Sequence, residues 1–412
     1  MMQWFKELSP PEKRTFVAAF AGWTLDALDF MVFTFVISAL IGYFHIDKTQ
    51  AGMLGTVTLL FSALGGWIAG MLADRYGRVR ILQITIVWFS VCTFLIGFAQ
   101  SFEQVFVLRA LQGLGFGGEW AVGSVLMGEI VRAQYRGRAV GTVQSGWAVG
   151  WGIAALLYTL AFSWLSEDWA WRSLFWFSVL PSLLVVYIRR HVPEPEVYKQ
   201  SRAANDDNIT KVSPWAIFSP ALLKTTLLSA LLCTGVQGGY YAVMTWLPTF
   251  LKTERHLSVI GTGAYLSVII TGSFIGYISG AYFTDRFGRK PNLFLFAVLS
   301  GVSVYAYTQI ELTNTEMLFV GFPLGFAASG IFSGIGAYLT ELFPSTVRAS
   351  GQGFAYNFGR GIGALFPTLV GYLSASQGLG MAIGVFAGGA YALVLLTVLF
   401  LPETKGRTLT AS

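Results

Sequence analysis

Two carboxylic acids stand inside a stretch of the chain that is otherwise free of charge. Asp26 and Asp29 lie within residues 15–44, where no other charged side chain occurs. A helix rises about 1.5 Å per residue, so both acids would lie deep in a bilayer. A carboxylate there costs at least about 2.5 kcal/mol and therefore needs a partner, a proton or access to water. Because acids three residues apart share one helix face, one of them is expected to retain a proton near neutral pH, and the pair predicts a proton site.

Three further charges fall in apolar stretches and extend the candidate chemistry. Arg109 and Glu119, both within residues 103–130, are predicted to form a buried charged cluster with the two aspartates. Arg360 lies roughly 15 Å into the stretch 349–374, near the middle of a membrane. Its permanently charged, planar guanidinium can hold a carboxylate at two points, so we predict that Arg360 binds an organic anion. The alternative is an internal ion pair between Arg360 and one of the buried acids.

The composition places these residues in a membrane protein. The chain has 412 residues, of which 54% are hydrophobic and 12% charged, and its mean hydropathy is +0.61. These values lie outside the range of soluble domains and predict an all-α polytopic membrane protein. Twelve apolar runs of membrane-spanning length occur near residues 15–43, 51–73, 80–99, 103–130, 137–163, 172–190, 223–250, 260–284, 291–310, 316–341, 349–374 and 379–401.

The distribution of basic residues predicts the orientation of these spans. Of the 27 Lys and Arg, 21 fall in the termini and in alternate loops, four fall in the other loops, and two are Arg109 and Arg360 within spans. By the positive-inside rule, both termini and the segment 191–222 are expected in the cytoplasm, and the protein in a bacterial inner membrane. The net charge of +6 therefore reflects membrane topology, and we expect no nucleic-acid partner.

A charged motif occurs twice, which indicates an internal duplication. Residues 70–80 read Gly-Met-Leu-Ala-Asp-Arg-Tyr-Gly-Arg-Val-Arg, and residues 280–290 read Gly-Ala-Tyr-Phe-Thr-Asp-Arg-Phe-Gly-Arg-Lys. Because residue types and spacing repeat together, a chance match of two basic turns is a poor explanation. Acids and arginines in such turns bind helix ends and nearby glutamates, a structural and regulatory role. The residues concerned are Asp74, Arg75, Arg78 and Glu129 in the first half, and Asp285, Arg286, Arg289 and Glu341 in the second.

These turns match the signature that the major facilitator superfamily carries between its second and third helices. The resemblance implies twelve transmembrane helices in two pseudo-symmetric six-helix bundles, with the charged turns as a latch between the halves. The predicted organisation is an N-terminal bundle (1–190), a cytoplasmic linker (191–222) and a C-terminal bundle (223–412). The glycines that follow Arg109 are predicted to pack helices, since they follow no strand that a phosphate-binding loop would require.

Other motifs resemble one branch of the superfamily, the sialate:proton symporters and related organic-acid:proton symporters, which include sialic acid, lactate and aromatic-acid carriers. They are Asp26-Ala-Leu-Asp-Phe30, Gly117-Gly-Glu-Trp120, Thr245-Trp-Leu-Pro-Thr-Phe-Leu251 and Tyr356-Asn-Phe-Gly359. Ala27 and Leu28 depart from the usual Gly-Phe, which leaves the substrate open. Exporters of the superfamily usually carry a proline-containing motif in the fifth span. Residues 141–157 contain no proline, and this favours import.

The resulting hypothesis is a proton-coupled importer of a small organic anion such as a monocarboxylate. Arg360 would hold the carboxylate, and Asp26, Asp29, Glu119 and Arg109 would couple the proton. Gln237, which replaces Asp26 in the duplicated half, marks that half for substrate contacts. The further predicted contacts are Tyr241, Tyr356, Asn357, Gln144, Trp147 and Trp151, although the two tryptophans also suit lipid-facing or core positions.

Three alternatives differ in class. A proton-driven exporter or a uniporter of another small solute would share these features, whereas a membrane sensor would append a signalling domain, and none is evident in the sequence. An enzyme is not expected, because we find no nucleophile–base pair, metal-ligand spacing or cofactor loop. We expect the proton gradient to replace any cofactor, no metal site, the lipid bilayer and the acid as partners, and a monomer as the functional unit.

Overall fold

The computed structural model describes residues 3–130, 139, 141–177, 179–180, 182–194, 214–343 and 348–405. Helices occupy each of the twelve predicted spans, and no strand occurs in these residues. The helices are α1 (Pro10–Phe44), α2 (Lys48–Tyr76), α3 (Arg78–Ile96), α4 (Phe102–Ile130), α5 (Gly146–Trp164), α6a (Glu167–Phe177), α6b (Ser182–His191), α7 (Leu223–Thr253), α8 (Val259–Phe287), α9 (Arg289–Gln309), α10a (Asn314–Gly330), α10b (Phe332–Leu342), α11a (Arg348–Gly363), α11b (Leu365–Gln377) and α12 (Leu379–Phe400), with a short helix, Gln3–Lys6, before α1.

Length and composition agree with a membrane location for most of these helices. Among the described residues, nine helices are long and apolar enough to cross a bilayer. The sequence predicted unbroken spans, but the fifth is interrupted by a turn at Ser145, and the sixth, tenth and eleventh are each divided into two helices. In the eleventh, the break at Ala364 is explained by Pro367, which has no N–H for the carbonyl of Gly363 and whose ring would collide with it. Arg360 therefore lies one turn before a break.

Glycines allow helices of each half to pack with their backbones in contact. Gly117 of α4 lies against the carbonyl of Ser62 in α2, and Gly65 of α2 lies against the backbone of α4, so a Cβ atom at either glycine would overlap with the neighbouring helix. Gly276 of α8 meets the carbonyl of Phe326 in α10a in the same way. The glycines of α4 thus act in helix packing, as small residues commonly do in membranes.

The repeated motif forms the same turn in both halves. Gly77 joins α2 to α3 with φ 106°, and Gly288 joins α8 to α9 with φ 119°, a region that favours glycine. Glu194 accepts hydrogen bonds of 3.0 and 2.8 Å from the first two N–H groups of α3. Glu403 accepts bonds of 3.0 and 2.9 Å from the first two N–H groups of α9. A carboxylate therefore caps a helix N-terminus at corresponding places, where the helix dipole favours negative charge.

Glu403 provides a test of this cap, and Glu403→Gln is expected to lower the apparent Tm at pH 7 by about 1–2 °C. Partial burial acts to raise the pKa of Glu403, but backbone N–H donors of Arg289, Lys290, Lys405 and Thr404 outweigh it and hold the pKa below its ordinary value. A carboxyl group whose pKa is lower in the folded state than in the unfolded state stabilises the fold when the pH lies above its unfolded-state pKa. This stabilisation is lost as the pH falls through the folded-state pKa. The difference in Tm between variant and wild type should therefore shrink as the pH falls below the ordinary pKa of a glutamate and vanish once Glu403 is protonated in the folded state.

The measurement is a thermal-unfolding series of detergent-purified protein across pH. Glu311→Gln is the matched control, because Glu311 is an exposed glutamate in the loop before α10a. Equal Tm values for wild type and Glu403→Gln at pH 7 would show that the cap contributes nothing to stability.

The two halves contact each other at several levels of the bundle. We call the end that carries the turns at Gly77 and Gly288 the basic end, and the other the opposite end. At the opposite end, the Lys252 ammonium of α7 lies 3.5 Å from the Glu167 carboxylate of α6a. Nearer the centre, the hydroxyl groups of Thr56 in α2 and Thr368 in α11b are 2.6 Å apart. Toward the basic end, Gly141 of the fifth span lies against Ala281 of α8. The extents 1–190, 191–222 and 223–412 stay a prediction.

Candidate functional site

Asp29 belongs to a buried network that ends on Arg109. The Gln112 side-chain amide donates to an Asp29 carboxylate oxygen, and its own oxygen accepts a 2.8 Å hydrogen bond from Nη1 of Arg109. The Arg109 guanidinium also lies 3.9 Å from the ring centroid of Phe33, and its Nε donates to the Leu54 carbonyl at 3.4 Å. An amide thus links the acid of α1 to the cation of α4.

Asp26 has a different partner. Its carboxyl group and that of Glu119 are both buried and lie within hydrogen-bonding reach of each other. Neither Asp26 oxygen receives a hydrogen bond from an N–H group or hydroxyl of the described residues. Two carboxyl groups can form a hydrogen bond only when one carries a proton, so this pair is a candidate proton site. The sequence predicted Asp26 and Asp29 as the proton-sharing pair, whereas the structure joins Asp26 to Glu119 and Asp29 to Gln112.

Arg360 lies on the C-terminal side of the same central region. It is 1% exposed, and its Nε donates a long 3.4 Å hydrogen bond to the Gln237 side-chain oxygen, whose amide nitrogen donates to the Tyr356 carbonyl at 2.9 Å. The hydroxyl groups of Tyr241 and Tyr356 lie within reach of the guanidinium. Its Nη1 has no hydrogen-bond partner in the described residues. A buried cation with an unused donor is suited to an incoming carboxylate.

Aromatic rings from both halves surround this cation. The Phe30 ring lies 5.9 Å from Phe116, 5.8 Å from Trp147 and 5.7 Å from Tyr241, and the Trp147 indole donates a 2.5 Å hydrogen bond to the Tyr240 hydroxyl. The Arg360 guanidinium is 5.5 Å from the Phe116 centroid. We call Phe30, Phe116, Trp147, Tyr240 and Tyr241 the aromatic cluster. Its faces can sandwich a flat, apolar group next to the cation.

The remaining predicted substrate contacts lie around this cluster. Gln144 and Trp151 are buried on either side of Trp147 along the chain, and Trp151 is 0% exposed. Asn357 donates to the Gly353 carbonyl of its own helix at 3.0 Å, and its oxygen lies against Gly66 of α2. Asn357 therefore contributes to the contact between the halves in this conformation rather than to the surroundings of Arg360.

The predicted gating residues take part in contacts at the basic end. Arg289 forms two hydrogen bonds, of 3.0 and 2.7 Å, with the Glu341 carboxylate, and its Nη1 donates to the Thr284 carbonyl at 2.8 Å. Arg78 donates to the Ala73 carbonyl at 2.9 Å, whereas Arg286 is exposed. These bonds join residues of the same half, although the resemblance implied a latch between halves. The side chains of Asp74, Arg75, Glu129 and Asp285 lie outside the described residues.

Sequence reasoning missed Gln112 and three members of the aromatic cluster. The spacing Arg109-x-x-Gln112 places both side chains on one face of α4 and is a usable signal. Phe30 and Phe116 read as ordinary core residues, and Tyr240 was noted only as a neighbour of Tyr241, because their meeting depends on how the two halves associate.

Comparison with known proteins agrees with this architecture. The profile of the Major Facilitator Superfamily matches residues 16–308 and 271–411. A protein of Cupriavidus pinatubonensis named "Probable 4-methylmuconolactone transporter" is 42% identical over 98% of this chain and 94% of its own length. The cis,cis-muconate transport protein of Acinetobacter baylyi is 32% identical over 95% of each chain. The solved proton:xylose symporter XylE has a TM-score of 0.78 at 17% identity, covering 97% of this chain and 98% of its own, and this likeness concerns the fold alone.

Proposed function

The chain belongs to the major facilitator superfamily, whose members are transporters rather than enzymes, and we propose that it is a proton-coupled symporter that imports a small, unsaturated carboxylic acid. In such a protein the two halves expose one central site to each side of the membrane in turn. Arg360, with its unused Nη1 beside the aromatic cluster, is the observation that carries the proposal.

The binding of acid and proton is coupled through charge. The substrate carboxylate neutralises Arg360 from the side of the aromatic cluster, and an added proton removes one negative charge from the Asp26–Glu119 pair. Arg360 also acts electrostatically on Asp26, so occupation of one site alters the other. The proton offsets the negative charge that the substrate carboxylate brings, so reorientation costs less free energy with both ligands bound than with the acid alone.

The substrate class follows from the walls of the site. Flat, conjugated acids can lie against the rings of Phe30, Phe116 and Trp147 while their carboxylate reaches Arg360. The names of two similar proteins support the same substrate class, since cis,cis-muconate is a conjugated acid and 4-methylmuconolactone is a small unsaturated compound. Gln237, Tyr241 and Tyr356 would orient the carboxylate.

The orientation rests on the positive-inside rule, which assigns the basic end to the cytoplasm. The similar proteins come from bacteria, which supports a location in a bacterial inner membrane with both termini inside. All groups of the proposed site come from one chain, so a monomer suffices. No cofactor takes part in the scheme, because the proton gradient supplies the free energy.

The test is uptake of cis,cis-muconate by the purified protein in proteoliposomes. Acidification of the outside by one pH unit is expected to drive accumulation, and a protonophore to abolish it. Adipate is the matched control substrate because it has the same six carbons and two carboxylates without the conjugated bonds, and its uptake should be at least about tenfold slower. Equal uptake with and without the pH gradient would contradict proton coupling, and equal uptake of adipate would contradict the assignment of the aromatic cluster.

A further inference from the structure

A narrow crevice lies within the N-terminal half, beside Glu119. Helices α1, α3, α4 and α6b line it together with Val143 of the fifth span, and among its described lining residues Glu119 is the only one that can ionise. Its free volume is about 30 Å³, enough for one or two water molecules but too small for an organic acid. Oε2 of Glu119 is buried and receives no hydrogen bond from an N–H group or hydroxyl of the described residues, as expected for a carboxyl group that faces the Asp26 carboxyl group. The crevice thus reaches one member of the buried carboxyl pair.

The crevice extends from Glu119 in the direction of the basic end. Along α4, the lining residues Gly123 and Met127 follow Glu119 at one-turn intervals toward the end of that helix. On α1 the lining includes Ala18 and Ala19, which lie between Asp26 and the helix start. Both helices reach the basic end in this direction, α4 at its C-terminus and α1 at its N-terminus. The crevice stays within one half, whereas the aromatic cluster lies between the two halves.

Given the proposed function, we propose that protons leave the Asp26–Glu119 pair through this crevice and that the acid leaves by a separate route, between the two halves. In the release step the O–H bond of the carboxylic acid breaks, the carboxylate keeps the electron pair, and a water molecule takes the proton as hydronium. The other charged groups near this pair are Asp29, with Arg109 behind it, and Arg360, and they lie toward the centre. The crevice therefore lies on the side of Glu119 that faces away from Arg360 and Arg109.

The apolar lining explains how this route is kept from leaking. Buried water needs two to four polar partners, and the lining consists mainly of Ala, Leu, Ile, Val and Met side chains. Such a crevice stays dry at its present width, so the proton is retained. A small separation of α1 from α4 during reorientation admits water and completes the path.

Gly123 permits a direct test, because a Cβ atom there would meet only Leu82 Cδ1, at 3.9 Å, among the described residues. Gly123→Leu therefore fills the crevice without a clash at its first atom. Net uptake driven by a pH gradient requires proton release and is expected to slow at least about tenfold. Exchange of labelled for unlabelled muconate at pH 6 on both sides needs no proton release and is expected to stay within about twofold of wild type.

Gly301→Leu on α9 is the matched control, since a Cβ atom there meets nothing within 4 Å in the described structure, and both activities should be retained. Wild-type protein that shows no protonophore-sensitive uptake would refute the proposed function itself. If wild type is coupled, unchanged net uptake in Gly123→Leu would overturn the separate route, and so would equal loss of uptake and exchange in folded protein. If Gly123→Leu does not reach the membrane, Gly123→Ala gives a graded version, for which net uptake should fall more than exchange.

Discussion

Arg360→Ala is expected to reduce uptake of cis,cis-muconate at least about 100-fold. The substrate carboxylate would then enter a buried site without its cation, and truncation of one partner of a buried charge pair costs roughly 2–5 kcal/mol. A loss of about 2.7 kcal/mol corresponds to a factor of 100. Initial rates of uptake in proteoliposomes, together with thermal-shift titrations by a panel of carboxylates, measure the effect. Both the rate and the ligand-induced shift should disappear.

Arg360→Lys separates charge from geometry. The variant keeps one positive charge but loses the planar fork that holds a carboxylate at two points, so we expect an intermediate rate with a raised KM. Arg255→Ala is the control for removal of a cation, because Arg255 lies in an outer loop and donates only a long 3.3 Å bond to the Ile310 carbonyl in the described structure. Normal uptake by Arg360→Ala would refute anion binding at this residue and favour a purely structural ion pair.

The fold was largely predictable because its signals are local. Apolar runs define the spans, and the repeated turn is encoded by a few adjacent residues, such as Gly77 and Gly288, whose positive φ requires their residue type. Helix breaks were less visible. Pro367 could have indicated the division of the eleventh span, but a proline in a membrane helix is compatible with either a kink or a break.

The pairing of the buried acids could not be predicted from spacing. Residues three apart on a helix differ by about 60° in direction, enough for Asp26 and Asp29 to contact different neighbours. Which neighbour each acid meets depends on the rotation of α1 against α4, a tertiary property. The structure places Glu119 beside Asp26 and Gln112 beside Asp29, so one acid is paired with a proton acceptor and the other is linked to a cation.

The aromatic cluster shows the same limit at a larger scale. The sequence marked Trp147 and Tyr241 as candidates from their spans, but it gave no reason to join Phe30 of α1 to Tyr241 of α7, which are 211 residues apart. Their contact exists only when the two halves assemble. From the sequence, a site between duplicated halves can therefore be recognised by its charged residues, because these are rare in membranes. Its apolar walls become recognisable only in the structure.

Glu119→Gln is expected to abolish proton-driven accumulation while it preserves exchange. The amide keeps the size of the side chain and can hydrogen-bond to Asp26 without a shared proton, so the site loses its exchangeable proton and not its shape. With one proton per acid and the membrane potential held at zero, a gradient of one pH unit sustains about tenfold accumulation, equivalent to 1.36 kcal/mol. In the same proteoliposomes the variant should reach a ratio of internal to external muconate of one. Its rate of muconate exchange should stay within about twofold of wild type.

Asp29→Asn provides the contrast that makes this result informative. Removal of the Asp29 charge leaves Arg109 buried without the acid to which Gln112 links it, and an uncompensated buried cation is strongly destabilising. Uptake and exchange should therefore fall together in Asp29→Asn, along with the apparent Tm, whereas only coupling fails in Glu119→Gln and in Asp26→Asn.

Proton-driven accumulation by Glu119→Gln at the wild-type ratio would remove Glu119 from the coupling mechanism and with it the proposed crevice route. Selective loss of coupling in Asp29→Asn would instead move the proton to the acid that the structure links to Arg109.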